Sequence, residues 1–309
     1  MNKNLKNKVS VIRGFNRYYT NILGLLDQYI LESDLSLSEV RVLHEIGKTE
    51  KCTSKMLVDI LCMDAGYLSR ILKKFHKMGL LRKEKSSEDG RAQYLYLTSD
   101  GKERMDDLNN SSDEQIAKII KPLTEIDKNF LVHNMVSIET ILSNGKNIKL
   151  DDISIRTDVR SGDIGYITYM HGLIYKEEYG YSTAFEAYVA ESFYEFLINY
   201  NPDKDHLWCA EHSGNIIGCI GIVGHGERAQ LRWFLINPYY RKIGLGKKLL
   251  DKVLDFAKSK KYKSVYLDTT DDLSRAIKMY TKTGFVKKSE KTNDSWKENV
   301  TELEFELKL

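Results

Sequence analysis

Arg241-Lys242-Ile243-Gly244-Leu245-Gly246-Lys247 is a basic, glycine-punctuated turn between two segments of different period. Before it, Ala229 to Ile236 reads as a β-type run. After it, Leu249, Leu250, Val253, Leu254 and Ala257 recur at helical spacing. A helix that opens on such a turn offers backbone N–H groups without intrahelical partners to an anion, with the helix dipole behind them. Glycines at 244 and 246 let the backbone approach a phosphate with no Cβ between. Downstream, a second β-like run from Ser264 to Asp268 leads into Ser274-Arg275-Ala276-Ile277-Lys278-Met279-Tyr280 and then Gly284-Phe285.

That order of loop, strand, Tyr-bearing helix and Gly-Phe resembles the GNAT family of acetyl-CoA-dependent N-acyltransferases. Arg241, Gly244 and Gly246 match its pyrophosphate loop, and Ser274, Ala276, Tyr280, Gly284 and Phe285 match its later helix-and-turn motif. The resemblance implies an α/β domain with a mixed, mostly antiparallel sheet and acetyl-CoA as cosubstrate. It implies that Phe234, Leu235 and Ile236 lie along the pantetheine arm, with an N–H near Leu235 serving the oxyanion. The N–H groups of Lys242, Ile243, Gly244, Leu245, Gly246 and Lys247 would hold the pyrophosphate, Arg241 and Lys247 would add charge, and Ser274 would stand near the pantetheine.

Acyl transfer to an amine also needs a proton donor for the thiolate and a route for the amine's proton. Tyr280 is the expected acid, since a tyrosine pKa of about 10 leaves it protonated at neutral pH; its other reading is a core aromatic. Many members of the family carry Glu early in the fourth strand, where this chain has Gln230. Glu227, three residues upstream, is then the expected base, with Asp268 at the end of the next strand and deprotonation through water as the other routes. An acceptor pocket is expected from the segment after the first strand, through His171, Tyr175 and Glu178, whose surroundings are rich in aromatic and acidic residues suited to a cationic amine or amino acid.

At 309 residues the chain is long enough for two domains, and 42% apolar with 29% charged residues is ordinary for a soluble globular protein. Formal net charge is only +3, so any nucleic-acid contact must come from a local cluster. No run of eighteen apolar residues occurs, and Met1-Asn2-Lys3-Asn4-Leu5-Lys6 leads into a charged amphipathic helix. A cytoplasmic protein without a membrane span is expected. Cys52, Cys62, Cys209 and Cys219 show no C-x-x-C spacing; reduced, buried thiols are expected, and neither zinc nor any other metal.

The first half has a different grammar. Val11 to Ile30 places Val11, Ile12, Phe15, Tyr18, Tyr19, Ile22, Leu25, Leu26 and Ile30 on one broad helical face. Ser36 or Ser38 can cap a helix ending near Gly47. Thr53 or Ser54 can cap a short one through Leu61, and Asp64 one from Ala65 to Met78 that stops at Gly79. Leu80 to Lys85 and Gln93 to Leu97 read as strands about a Glu88-Asp89-Gly90 turn, and Asp100 to Ser143 returns to helix, broken near Pro122.

Three helices, a glycine stop and a charged hairpin make a mainly α winged helix-turn-helix. Over roughly residues 10 to 145 the sequence resembles the MarR family of bacterial regulators, through Asp64-Ala65-Gly66-Tyr67-Leu68-Ser69-Arg70-Ile71-Leu72, Asp89-Gly90-Arg91, and Leu95-Tyr96-Leu97-Thr98 with Gly101. The domains are therefore expected at 1–145 and 153–309, joined at Asn144-Gly145-Lys146-Asn147.

Between Asp64 and Arg91 eight basic residues face four acidic ones, a net of +4 in 28 residues. Tyr67, Ser69 and Arg70 are placed for base edges on the DNA double helix; Lys73, Lys74, Arg82, Lys83 and Arg91 suit phosphates, although Arg91 can instead brace the hairpin on Asp89. The long flanking helices carry enough apolar surface to expect a homodimer through this domain. Together these readings give a bifunctional DNA-binding regulator and acetyl-CoA-dependent N-acetyltransferase. A second reading is a regulator whose C-terminal half senses acetyl-CoA or an amine without turnover, and a third is an enzyme whose helical half serves only for dimerisation.

Overall fold

The structure, a computed structural model, describes residues 2–25, 31, 33–85, 93–146 and 148–309, which divide into two units, Met1–Thr124 and Glu125–Leu309. In the first unit the Asn2 side chain accepts from Asn4 N and starts α1 (Lys3–Ile22) well before the apolar period begins at Val11. The helix ends before Leu25, and Leu26 and Ile30 lie outside the described residues. Ser36 and Glu39 bond reciprocally to each other's backbone N–H, a capping box that opens α2 (Leu37–Lys48). Gly47 does not stop this helix; it lies within it, where a Cβ would collide with Met105.

Thr53 caps α3 (Ser54–Leu61) and Asp64 caps α4 (Ala65–Lys77), accepting from Tyr67 N at 2.8 Å. Leu68, Ile71, Leu72 and Phe75 of α4 are buried against Val42, Leu43, Ile46 and Leu57. β2 (Leu81–Lys85) pairs with β3 (Gln93–Leu97) from Leu81↔Leu97 to Lys85↔Gln93. The two-residue β1 (Cys52–Thr53) adds to the far edge of β3, a pairing too short to show a period in sequence. The turn at Glu88-Asp89-Gly90 lies outside the described residues. Thr98 caps α5 (Ser99–Ile120), and Pro122 stands in the break before α6 (Glu125–Ser143).

The boundary between units precedes α6, which sequence reasoning grouped with the N-terminal domain. Thr140 of α6 instead lies 3.4 Å from the Tyr240 hydroxyl, itself 2.9 Å from His212 Nδ1. The second unit is built on a seven-stranded sheet in the order β4 (Ser154–Arg156), β5 (His206–His212), β6 (Asn215–His225), β7 (Arg228–Ile236), β8 (Ser264–Thr270), β10 (Val300–Lys308), β9 (Val286–Asn293). All neighbours are antiparallel except β7 and β8, which α9 (Leu245–Ser259) joins as a crossover. This is the mixed α/β sheet that the sequence implied.

Two cores flank the sheet. On one face Leu249, Leu250, Val253 and Ala257 of α9, with Tyr280 of α10 (Ser274–Thr283), bury Leu231, Val265, Leu267, Leu303 and Phe305. On the other, α7 (Asp163–Tyr179) and α8 (Thr183–Asn199) cover Leu207, Cys209, Cys219, Trp233 and Leu235. Arg156, 10% exposed, binds Asp163 and Glu211 and so ties the start of α7 to β4 and β5.

Cys52, Cys209 and Cys219 are buried as expected, and burial pushes the Cys52 thiol up to about 11 and Cys209 to about 12. Cys62 departs from the expectation: it is exposed, in the left-handed turn that ends α3.

Candidate functional site

β7 changes face part-way along. Ala229 and Leu231 point to the α9 side, whereas Trp233 and Leu235, of the same parity, point to α7 and α8. A strand with strict two-residue alternation cannot do this. The register slips between Cys219 and Gly221 of β6, so Trp233 and Phe234 together oppose one residue, and Trp233 adopts φ 51°. Such backbone costs a bulky residue roughly 1–2 kcal/mol. The indole is held there by Ser192 Oγ at 2.8 Å and by stacking on Phe193 at 4.3 Å.

Beyond that point the sheet is open. β7 and β8 pair only through Arg228–Gln230 against Ser264–Tyr266, leaving the facing edge of Leu231–Ile236 free of ladder bonds. A cavity of about 380 Å³ occupies the gap and is lined from both faces of the sheet. On the α9 side stand Phe234, Ile236, Gly246, Ala276, Met279 and Tyr280. On the α7 side stand Tyr175, Tyr181, Phe185, Tyr188, Arg232 and Asp268.

The basic turn ends at the α9 side of this gap. A short 3-10 turn at Pro238–Tyr240 leads to Lys242 at φ 69° and Gly244 at φ 93°, the residue that precedes the first turn of α9. Gly244 tolerates that backbone because it has no Cβ. The first N–H groups of α9 have no acceptor within the helix. Arg241 donates to Ile236 O at 3.0 Å, which pins the turn to the end of β7.

Tyr280 is buried among Phe234 and Phe285, and burial alone raises its hydroxyl pKa above the usual tyrosine value. It therefore stays protonated at neutral pH. Gln230 donates from Nε2 to Asp268 Oδ2 at 2.8 Å. Asp268 as a residue is open to solvent, yet enclosure of its carboxyl raises its pKa, Glu304 and Glu302 add to the rise, and Gln230 and Lys291 oppose it.

In the first unit Tyr67, Ser69, Arg70 and Lys73 are exposed on one side of α4, with the Arg70 guanidinium 5.7 Å from the Tyr67 ring centre. Lys83 is exposed on β2; Arg82 packs 4.8 Å over Tyr96 and pairs with Glu84. Lys74 turns away from that face to Glu39 at 2.8 Å. Burial works to raise the pKa of Glu39, but Lys74 and the cap at Ser36 hold it below the glutamate norm.

The family model of the acetyltransferase (GNAT) family matches residues 172–285, and that of the MarR family matches residues 33–92. The chain joins a MarR-family segment to a GNAT-family segment. Among curated relatives, the HTH-type transcriptional regulator SarZ of Staphylococcus saprophyticus is 33% identical over 91 residues, 29% of this chain and 62% of that protein. The regulator MgrA of Staphylococcus aureus is 28% identical over 102 residues, 33% of this chain and 65% of its own length. The chain thus spans somewhat under two thirds of either regulator. Among solved structures, a putative GNAT-family acetyltransferase from Desulfovibrio desulfuricans aligns at 14% identity and TM-score 0.43, over 50% of this chain and 98% of that one. PaiA N-acetyltransferase from Thermoplasma acidophilum, in complex with coenzyme A, aligns at 20% identity and TM-score 0.42, over 51% and 99%.

Within the GNAT-type unit, Phe234, Leu235, Ile236, Arg241, Lys242, Gly246, Tyr280, His171 and Tyr175 all border the cavity. Ile243, Gly244, Leu245, Lys247 and Ser274 do not: Leu245 is buried in the core, and Lys247 turns out to Asp251 at 2.9 Å. Glu227 cannot serve as the base. It sits on the β6–β7 turn, its side chain 71% exposed and paired with Lys263, three residues before Gln230, where the strand starts to line the cavity.

Glu178 gives both carboxylate oxygens to Arg241 at 2.8 Å rather than facing the cavity. His171 borders the cavity but is 3% exposed and bonded to Ile167 O; burial pushes its pKa down to about 4, so it is neutral at physiological pH. In the MarR-type unit, Lys74 is engaged internally and Arg91 lies outside the described residues. Tyr188, Trp296 and Glu302, which also line the cavity, carried no local sequence signal.

Proposed function

We propose that the second unit transfers an acetyl group from acetyl-CoA to an amine, and that the first unit binds double-stranded DNA as a dimeric regulator. The parting of β7 from β8 after Gln230 carries the transferase reading. It leaves strand backbone free to pair with an extended pantetheine chain, beside the unpaired N–H groups of α9. Tyr280 and Asp268 then flank the same gap from opposite faces of the sheet.

The acceptor nitrogen reaches Asp268 as an ammonium and gives the carboxylate one proton, which frees its lone pair; its second proton passes to water as the new C–N bond forms. Tyr280 donates its phenolic proton to the CoA sulfur as the C–S bond breaks, and solvent restores both groups. A raised carboxylate pKa suits this role, because a base works best with a pKa near the operating pH. The winged-helix reading is supported by the exposed Tyr67, Ser69, Arg70 and Lys73, and the dimer by the exposed Val11, Ile12, Phe15 and Tyr18 of α1.

Calorimetry with purified protein tests the cosubstrate, and thiol release with a panel of amines tests turnover. We expect acetyl-CoA uptake and CoA release, with Tyr280→Phe lowering kcat on the order of 10²-fold while uptake stays close to that of the parent. Absence of uptake would remove the transferase. Uptake without CoA release for any amine would leave a ligand sensor.

A further inference from the structure

On its α7 side two charged groups that line the cavity, Asp268 and Arg232, have no ion-pair partner among the described residues. The recorded partner of Asp268 is the neutral amide of Gln230. Arg232 donates to the Tyr188 hydroxyl at 3.1 Å and lies 5.8 and 5.1 Å from the ring centres of Tyr188 and Trp233. Among the described residues neither has an oppositely charged group within 4.0 Å. The surrounding carboxylates are matched: Glu302 by Lys291 at 2.6 Å, Glu304 by Arg228 at 2.9 Å, Asp272 by Lys297 at 3.1 Å.

The wall beside these two charges is aromatic. Trp296, from the β9–β10 connection, packs 4.9 Å from Tyr188 and 5.2 Å from Phe185, and its carbonyl accepts from Ser182 N at 2.8 Å. Gln230 and Arg232 share a face of β7 ahead of the bulge. Glutamine at 230 adds no carboxylate on that face beside Arg232.

Resting on the acetyltransferase reading, we propose that the acceptor is a zwitterionic α-amino acid with an apolar or aromatic side chain. Asp268 takes its ammonium, Arg232 its carboxylate, and Tyr188 and Trp296 its side chain. A ligand that closes the cavity takes both protein charges out of water, and only a partner with both complementary charges repays that. A plain amine leaves the guanidinium desolvated and unmatched. Sites built around a polar group reject analogues that lack it far more strongly than apolar pockets reject a missing methylene.

The test uses matched probes on the full chain: L-phenylalanine, L-tryptophan and L-leucine, each beside its primary amide and its decarboxylated amine. We expect kcat/KM for at least one amino acid to exceed that of its amide and its amine by about tenfold or more. Arg232→Met should bring that ratio to about one, with acetyl-CoA uptake reporting that the variant is folded. Equal or better turnover of the analogues that lack the carboxylate, or an unchanged ratio in Arg232→Met, would overturn the proposal. Acetyl-CoA uptake with no amino acid bound or acetylated would overturn it while leaving the transferase standing, whereas failure to bind acetyl-CoA would remove the transferase itself.

Discussion

Asp268 owes its chemistry to neighbours from three strands. Enclosure lifts its pKa above the ordinary aspartate value of about 3.9, and Glu304 and Glu302 lift it further. A base must be unprotonated, so transfer should fall as the pH drops through this raised value, with the acid limb above the usual aspartate range. The sign for stability is the reverse. A carboxyl whose folded pKa is raised favours the folded state when protonated, and that contribution disappears as the pH rises through the raised value. Asp268→Asn should therefore abolish the acid limb and slow transfer on the order of 10²-fold, without lowering the melting temperature at neutral pH. Rates across pH, with thermal unfolding of both proteins, check it; a large loss of melting temperature would make Asp268 a structural group.

Elements meet where side chains are too small or too short to keep them apart. Thr98 accepts from Gly101 N at 3.0 Å to start α5 and donates to Gly79 O at 2.6 Å, so one hydroxyl ties the end of β3 to the end of α4. Gly101 fits because a Cβ there would run into the carbonyl of Leu80. The Thr-x-x-Gly pair read in the sequence is thus one joint between helix and wing. Gly101→Ala improves helix propensity, yet it should destabilise the first unit by about 1–3 kcal/mol through overpacking against backbone that cannot yield. Urea unfolding followed by circular dichroism measures this; a shift within about 0.5 kcal/mol would show that α5 can move aside.

Over the whole chain the net charge is only +3, while the stretch from Asp64 to Arg91 carries +4. A nearly neutral protein with so basic a stretch should bind DNA through it, with marked salt dependence. Arg70→Ala should weaken binding to the upstream DNA of its own gene, and Lys83→Ala should reduce the slope of log K against log salt by about one. Lys74→Ala should leave that slope near the parent's, since Lys74 is held by Glu39 at 2.8 Å. Fluorescence anisotropy at several salt concentrations separates the three. A common slope for all would place the DNA elsewhere.

The turn from Arg241 to Lys247 and the caps at Ser36, Thr53 and Asp64 were all legible from residue order. Each is made by hydrogen bonds or backbone preferences spanning a few residues, so the chain states them locally. Both unit folds followed from the succession of such signals. The composition of the gap between β7 and β8 did not. Gln230 meets Asp268 across 38 residues, Arg241 meets Glu178 across 63, and Trp296 reaches Tyr188 from a different connection. Local period could not tell that Glu227 would project from a turn, that His171 would be buried neutral, or that a bulge at Trp233 would turn β7 over. Burial and charge pairing depend on which strands become neighbours, and that order forms only when the two cores close on the sheet.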